Sequence, residues 1–178
     1  MTPQQLTITA YQAILPSQYE YAERLFLRAV DGLRPLASSD LHYALGLSGL
    51  GQVYLLQGRL EEAETVFRQA LTHYERDFID DAFGRFSTLC HLGSVKLAQG
   101  SLQESRFFYE QGLKVGEEDL MDQKIVLAHA CLQGYADVLD QLSVVHEAQA
   151  IRNRIESILN SESRQSYDER ADSKSKSS

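Results

Sequence analysis

The feature that most constrains the fold of this chain is an internal repeat of about 42 residues. Residues 50–63 read LGQVYLLQGRLEEA, and residues 92–105 read LGSVKLAQGSLQES. Both stretches place a Leu-Gly pair, a Val, a Gln-Gly pair and a further Leu at the same positions. A fixed period of this length indicates units of one supersecondary structure that stack on one another. The chain is therefore expected to fold as an array of repeats.

Weaker copies extend the repeat towards both ends of the chain. The pattern Ala-x-x-x-Phe-x-x-Ala of residues 63–70 recurs 41 residues earlier, at residues 22–29. A fourth copy begins near Ala136 and has Ser143 where the central copies have a turn glycine. Four units of about 41–43 residues thus account for a predicted repeat domain over residues 1–160.

Each unit is predicted to be a pair of helices. Asp40 is a candidate N-cap, and Gly58 and Gly100 lie between apolar stripes of helical spacing, where turns are expected. Ser17 and Glu20 have the spacing of a capping box, which predicts a helix start at Ser17. No segment reads as a strand. The predicted fold class is all-α, a right-handed α-solenoid of about four helical hairpins.

The glycines inside the predicted helices need an explanation, because each costs roughly 1 kcal/mol relative to alanine. Gly51 and Gly93 occupy the same column of the repeat, which indicates close packing of two helices. Gly46 and Gly49 are not explained by the repeat. The hypothesis for both is close backbone approach of a partner.

Composition excludes several classes of function. The formal net charge of -8 argues against general binding of nucleic acid or of anionic membranes, both of which require a basic surface. No apolar run reaches the roughly 18–20 residues that span a bilayer, and the N-terminus lacks the pattern of a signal peptide. The two cysteines are too few for a disulfide framework, so a cytoplasmic location is predicted.

The residues that could support metal binding or catalysis do not form a recognisable site in the sequence. Cys90 and His91 are adjacent and would point about 100° apart on a helix, so they do not suit one ion, and His129-x-Cys131 lacks zinc spacing. Asp137 and Asp140 are the only acidic pair expected to share a concave face, where contact with a basic partner residue is favoured over acid–base chemistry. No cofactor, no metal and no enzymatic activity are predicted.

With these columns in view, the chain resembles the tetratricopeptide repeat family. The residues that carry the resemblance are Leu50, Gly51, Tyr54, Gly58, Ala63, Phe67 and Ala70. The period is longer than the usual 34 residues of this family and is similar to that of kinesin light chains. The resemblance implies a superhelix whose concave face, formed by the first helix of each hairpin, takes up a peptide or helix of a partner protein. Lys96 falls in a packing column, and the absence of Arg from the groove argues against the clamp that binds chaperone tails.

Carried onto this sequence, the resemblance implies a binding groove along three first helices. The candidate groove residues are Leu45, Ser48, Gly49, Gln52, Leu56, Cys90, His91, Ser94, Leu97, Gln133, Asp137, Asp140 and Gln141. The expected function is a protein–protein interaction module, either an adaptor or an assembly factor. The alternative is a regulatory sensor domain that binds a small peptide or ligand.

The two ends of the chain carry further expectations. Residues 161–178 are rich in Ser and charged residues and are predicted to form a disordered polar tail. Apolar residues of the terminal helices could support self-association. They are Leu6, Ile8, Tyr11, Ile14 and Leu15 at one end and Ile151, Ile155, Ile158 and Leu159 at the other.

Overall fold

The chain folds into four consecutive helical hairpins. The computed structural model describes residues 1–15, 17–37, 40–119 and 125–157, and these ranges contain helices and no strand, as predicted. The helices are α1 (Pro3–Ile14), α2 (Tyr19–Leu33), a short 3-10 helix (Arg34–Leu36), α3 (Leu41–Leu56), α4 (Leu60–Arg76), α5 (Ala82–Ala98), α6 (Leu102–Asp119), α7 (Ile125–Gln141) and α8 (145–157). The predicted tail at 161–178 lies outside the described residues. None of the described helices is long and apolar enough to cross a membrane.

The hairpins stack so that their first helices lie side by side. Each of α1, α3 and α5 contacts its own second helix and also the first helix of the next unit. The second helices α2, α4 and α6 each contact the first helix that follows them in the chain. This arrangement is the solenoid that the repeat predicted, and it leaves one face of the first helices uncovered by second helices.

The helix boundaries follow from local signals, with one exception. The Asp40 carboxylate accepts a hydrogen bond from the backbone N–H of His42 at 2.9 Å and caps α3, as predicted. Gly58 has a φ of +76°, a left-handed conformation that glycine adopts without a steric penalty. The predicted capping box at Ser17 is wrong, because α2 begins at Tyr19 and Ser17 itself has a φ of 59°.

Buried aromatic rings of the second helices explain the column of Gly51 and Gly93. A Cβ atom on Gly51 would lie 2.8 Å from the ring of Phe67, and one on Gly93 would lie 2.9 Å from the ring of Tyr109. Both distances are too short for carbon atoms that are not bonded. The glycines therefore allow each ring to contact the backbone of its partner helix, which confirms the packing role predicted for this column.

The same column of rings also packs against the next unit, and this corrects the hypothesis for Gly49. A Cβ atom on Gly49 would overlap the ring of Phe26, which is fully buried. Gly134, at the corresponding position of α7, lies in the same way against the hydroxyl of Tyr109. Gly49 thus faces α2 inside the protein and not a partner, and so does the buried Gly46, where a Cβ atom would lie 3.1 Å from the side chain of Val30.

Candidate partner-binding groove

The open face of the first helices is clearest on α3. Leu45, Gln52 and Leu56 are separated by seven and four residues, which places them within about 40° of one another around the helix. Leu56 is 48% exposed, and the other two are half-buried. Within the part of the chain that the structure describes, the Gln52 amide makes no side-chain hydrogen bond. This strip offers two apolar contacts and one free amide to a ligand.

Three of the predicted groove residues lie inside the protein. Ser48 is buried, and its hydroxyl shares a hydrogen bond with that of Thr88 at 3.2 Å. Gly49 is covered by Phe26, as described above. Cys90 is buried and forms a disulfide with Cys131, with 5.5 Å between the two Cα atoms. These positions point at neighbouring helices, so their side chains are not available to a partner.

The disulfide bears on the prediction that two cysteines are too few for a disulfide framework. Two cysteines are too few for a framework of several disulfides, but they can still form a single bridge between stacked units. The 41 residues between Cys90 and Cys131 are nearly one period of the repeat. That separation brings them onto adjacent first helices, and the spacing was a signal that the sequence already contained.

His91 contributes an aromatic packing surface and no charge. Its ring stacks on that of Phe67 with 5.1 Å between the centroids and 4° between the planes. Burial lowers the pKa of His91 to about 4. The imidazole is therefore neutral at pH 7 and cannot act there as a cationic contact for a ligand.

The remaining groove candidates on α5 are engaged with the protein itself. The Ser94 hydroxyl lies 2.9 Å from that of Tyr109 and donates a hydrogen bond to the backbone oxygen of Cys90 at 3.1 Å. Leu97 is half-buried and packs against the apolar cluster around α7. Sequence reasoning missed Ser87 and Ala98, which follow Leu45 and Leu56 by 42 residues and are half-buried and exposed, respectively.

On α7, the structure separates the two predicted aspartates. Gln133, Asp137, Asp140 and Gln141 are all exposed. The Gln133 amide donates to the Asp137 carboxylate at 3.0 Å, whereas Asp140 forms an ion pair with Arg152 of α8. Asp137 is therefore the acidic group that remains open to a basic ligand.

Polar side chains at the ends of the first helices hold the units together. Gln57 donates to Glu23 at 3.2 Å, and Gln99, one period later, donates to Glu64 at the same distance. Lys96, whose side chain is 9% exposed, lies 2.8 Å from Glu64. It is engaged within the fold, which agrees with its predicted place in a packing column.

The charge of Glu64 is stabilised by this network. Burial raises the pKa of Glu64, but hydrogen bonds from Lys96, Arg68 and Gln99 outweigh burial and lower it below the usual value. The hydrogen bond that Lys96 donates to Glu64 raises the pKa of Lys96, because its effect is larger than the opposite effect of burial. Among the described residues, no group of three or more His, Cys, Asp or Glu side chains is placed to hold a metal ion.

The terminal helices bury part of their apolar residues against the solenoid. At the C-terminal end Ile155 is buried and Ile151 half-buried, while residues 158 and 159 lie outside the described residues. At the N-terminal end Leu6 is buried, but Ile8 and Leu15 are 54% and 90% exposed. Among the described residues of the two predicted self-association surfaces, Ile8 and Leu15 are thus the exposed ones.

These features define a repeat protein of stacked helical hairpins with an open face on its first helices. The sequence pattern of the tetratricopeptide repeat matches residues 17–76 and 42–118, and the chain belongs to this family. Tetratricopeptide repeats in general serve as scaffolds for interactions between proteins and not as enzymes. No curated protein matches the chain.

Solved structures share the fold at low sequence identity. BtubC (BKLC) from P. vanneervenii superimposes on this chain with a TM-score of 0.78 at 15% sequence identity. The match covers 89% of this chain and 63% of that protein's chain. Two structures of nearly identical TPR-like repeats of the kinesin-light-chain type from Podosopora anserina have TM-scores of 0.67 and 0.64 at 17% and 16% identity. They cover 89% and 86% of this chain, which spans 75% and 73% of theirs. The predicted likeness to kinesin-light-chain repeats is confirmed.

Proposed function

We propose that this protein is an adaptor or assembly factor that holds a peptide or helix of another protein along the open face of α3, α5 and α7. The observation that carries the proposal is the strip of Leu45, Gln52 and Leu56, which presents apolar surface and a free amide on one side of α3. Buried apolar contacts supply affinity in such grooves, and amides fix the direction of a bound peptide.

The chemistry of the face changes from one end to the other. Its α3 end is apolar, and its α7 end carries the exposed Asp137 together with Gln133 and Gln141. A segment with apolar residues at one end and a basic residue at the other fits this order. The net charge of -8 favours the same class of partner, because it attracts a basic segment during encounter.

The cytoplasmic location predicted from the sequence is retained as part of this proposal. It is the part that the Cys90–Cys131 disulfide opposes, since stable disulfides belong mainly to oxidising compartments. Alkylation of free thiols in intact cells, followed by mass spectrometry of the chain, tests this location. Alkylated cysteines indicate the reducing cytoplasm, and unmodified, bridged cysteines indicate an oxidising compartment.

Affinity capture with matched variants tests the groove. The open-face variant combines Gln52→Ala, Leu56→Ser and Asp137→Ala, and the control variant combines Gln69→Ala, Glu75→Ala and Lys114→Ala on second helices, where all three side chains are exposed. The segment of the captured protein is then synthesised as a labelled peptide, and its affinity for each variant is measured by fluorescence anisotropy. A loss of about tenfold or more in the open-face variant alone, with an unchanged melting temperature, supports the proposal. Equal affinity for both variants would overturn it.

A further inference from the structure

One contact position recurs at each junction between first helices. At the junction of α3 and α5 it is filled by Ser48 and Thr88, whose hydroxyls are 3.2 Å apart. The corresponding residues one repeat later are Cys90, which follows Ser48 by 42 residues, and Cys131, which follows Thr88 by 43 residues. The disulfide therefore occupies, at the junction of α5 and α7, the position of a hydrogen bond one unit earlier.

The boundary between the third and fourth hairpins also lacks a polar contact that the two earlier hairpin boundaries share. Glu23 and Glu64 each accept a hydrogen bond from a glutamine at the end of the next first helix. One period after Glu64 the residue is Arg106, and one period after Gln99, 43 residues further along the chain, it is the half-buried Leu142. Arg106 instead pairs with Glu110 on its own helix and with Glu147 on α8. The third and fourth hairpins are joined instead by the bridge between α5 and α7, by the ion pair of Arg106 with Glu147, and by the hydrogen bond that Tyr135 donates to Glu110.

We propose that Cys90 and Cys131 form a redox-controlled lock that fixes the fourth hairpin on the third. In the oxidised state the bridge holds α5 and α7 with 5.5 Å between the two Cα atoms. In the reduced state this junction keeps only its noncovalent contacts, and the last hairpin gains freedom relative to the rest of the solenoid. The proposal concerns the fold itself and does not depend on partner binding.

The Cys90–Cys131 bridge opens and closes by thiol–disulfide exchange, a two-electron reaction. A thiolate of an external thiol attacks one sulfur of the bridge, the S–S bond breaks, and the other cysteine leaves as a thiolate that takes up a proton. A second external thiolate attacks the mixed disulfide, releases the first cysteine, and leaves the external reagent as a disulfide. The reverse reaction, with an external disulfide as the oxidant, restores the bridge and consumes the two thiols.

Burial controls the rate of this reaction. Cys90 is 4% exposed and Cys131 is 2% exposed, so an external thiol reaches the bridge only when local unfolding exposes one of the two sulfur atoms. The lock is therefore expected to open slowly and to respond to the prevailing thiol–disulfide balance, not to brief changes in it.

Hydrogen exchange measured by mass spectrometry on the full chain tests the lock. The chain is purified with its thiols blocked by alkylation during lysis, and samples are compared with and without dithiothreitol. Reduction should raise the exchange of amides in 129–157 by at least about tenfold and leave α3 and α4 unchanged. The Cys131→Ala variant should exchange in this region like the reduced chain, whether or not dithiothreitol is present. If that variant does not fold, Cys90→Ala serves the same purpose.

Two results would overturn the proposal. One is free thiol at both cysteines in chain that was incubated with an excess of oxidised dithiothreitol. The other is a bridge whose reduction leaves the exchange of 129–157 unchanged. Reoxidation of the reduced wild-type chain should return exchange to its original rate, which separates release of a lock from irreversible unfolding.

Discussion

Ser48 on α3 and Thr88 on α5 share a buried hydrogen bond, and they occupy the position that the next junction fills with the Cys90–Cys131 disulfide. At the first junction the corresponding residues are Thr7 and Gly46, and the Thr7 hydroxyl lies 3.9 Å from where a Cβ atom on Gly46 would be. The same position is thus occupied by a threonine beside a glycine, by a hydrogen bond between two hydroxyls, and by a disulfide. The repeat brings corresponding positions of neighbouring first helices together and leaves open how each junction is held.

A second disulfide should therefore form if the α3–α5 position is given cysteines. The double variant Ser48→Cys/Thr88→Cys closes a loop of about 40 residues, for which the chain-entropy relation gives roughly 4 kcal/mol of stabilisation. Titration of free thiols shows whether the bridge forms, and urea unfolding with and without dithiothreitol measures its contribution. The single variant Thr88→Cys is the control, and oxidation should not stabilise it. Two free thiols in the oxidised double variant would contradict the shared geometry.

Gly49→Ala should destabilise the fold, because the new methyl group overlaps the ring of Phe26. Overpacking of this kind typically costs about 1–3 kcal/mol, and the better helix propensity of alanine returns up to roughly 1 kcal/mol of it. The net loss is measured by urea unfolding at pH 7. A variant as stable as wild type would show that α2 and α3 move apart at little cost.

The double variant Phe26→Leu/Gly49→Ala provides the matched control for that prediction. Leucine removes the ring atoms that the methyl group would meet, so the Gly49→Ala change should cost less in this background than in wild type. The difference is the coupling between the two positions. Simple additivity would mean that the ring is not what excludes the methyl group.

The period of the sequence was enough to predict the hairpins, because matching columns place small residues and aromatic rings where helices cross. It was not enough to tell a groove position from a junction position. On α3, Ser48 and Gln52 are both polar and four residues apart, yet one is buried against α5 and the other is open. That difference depends on the angle between neighbouring first helices, which the composition of one helix does not reveal.

Residues at matching positions of the repeat, in contrast, indicate contacts between units that were not predicted from the sequence. Phe26, Phe67 and Tyr109 recur at intervals of 41 and 42 residues, and the residues that they cover on the next unit are Gly49, His91 and Gly134, at intervals of 42 and 43. This series assigns His91 to the junction and not to the groove. The same comparison pairs Cys90 with Ser48, and the contact of Ser48 with α5 in the structure corresponds to the contact of Cys90 with α7.

Lys96→Met should destabilise the junction of α4 and α5. The change keeps the length of the side chain but removes the ammonium group that lies 2.8 Å from Glu64. Because Arg68 and Gln99 remain as partners of Glu64, the expected loss is about 1–3 kcal/mol at pH 7, below that of a fully orphaned buried charge. Lys114→Met, at an exposed position on α6, is the control and should change stability by less than about 0.5 kcal/mol.

The effect of Lys96→Met should also depend on pH in a defined direction. The pKa of Glu64 is lowered in the folded chain, so its contribution to stability is complete above its unfolded pKa and is lost as the pH falls through the folded value. The difference in stability between wild type and variant should therefore be largest near pH 7 and shrink at and below about pH 4. A constant difference across this range would show that packing, and not the ion pair, accounts for it.

His91 should make the wild-type fold less stable in mild acid. Its pKa falls from 6.5 to about 4 on burial, so between these values the unfolded chain binds a proton that the folded chain excludes. Stability is therefore complete above about pH 6.5 and decreases as the pH falls towards 4, by a total of roughly 2–3 kcal/mol. His91→Gln cannot take up this proton, so its stability should change less over the same window. Urea unfolding of both chains at half-unit steps from pH 7 to pH 4 gives the difference, which isolates His91 from carboxylates that titrate in both chains. Parallel curves would mean that the imidazole is protonated while it is stacked on Phe67, and that the ring is accessible to water in the folded state.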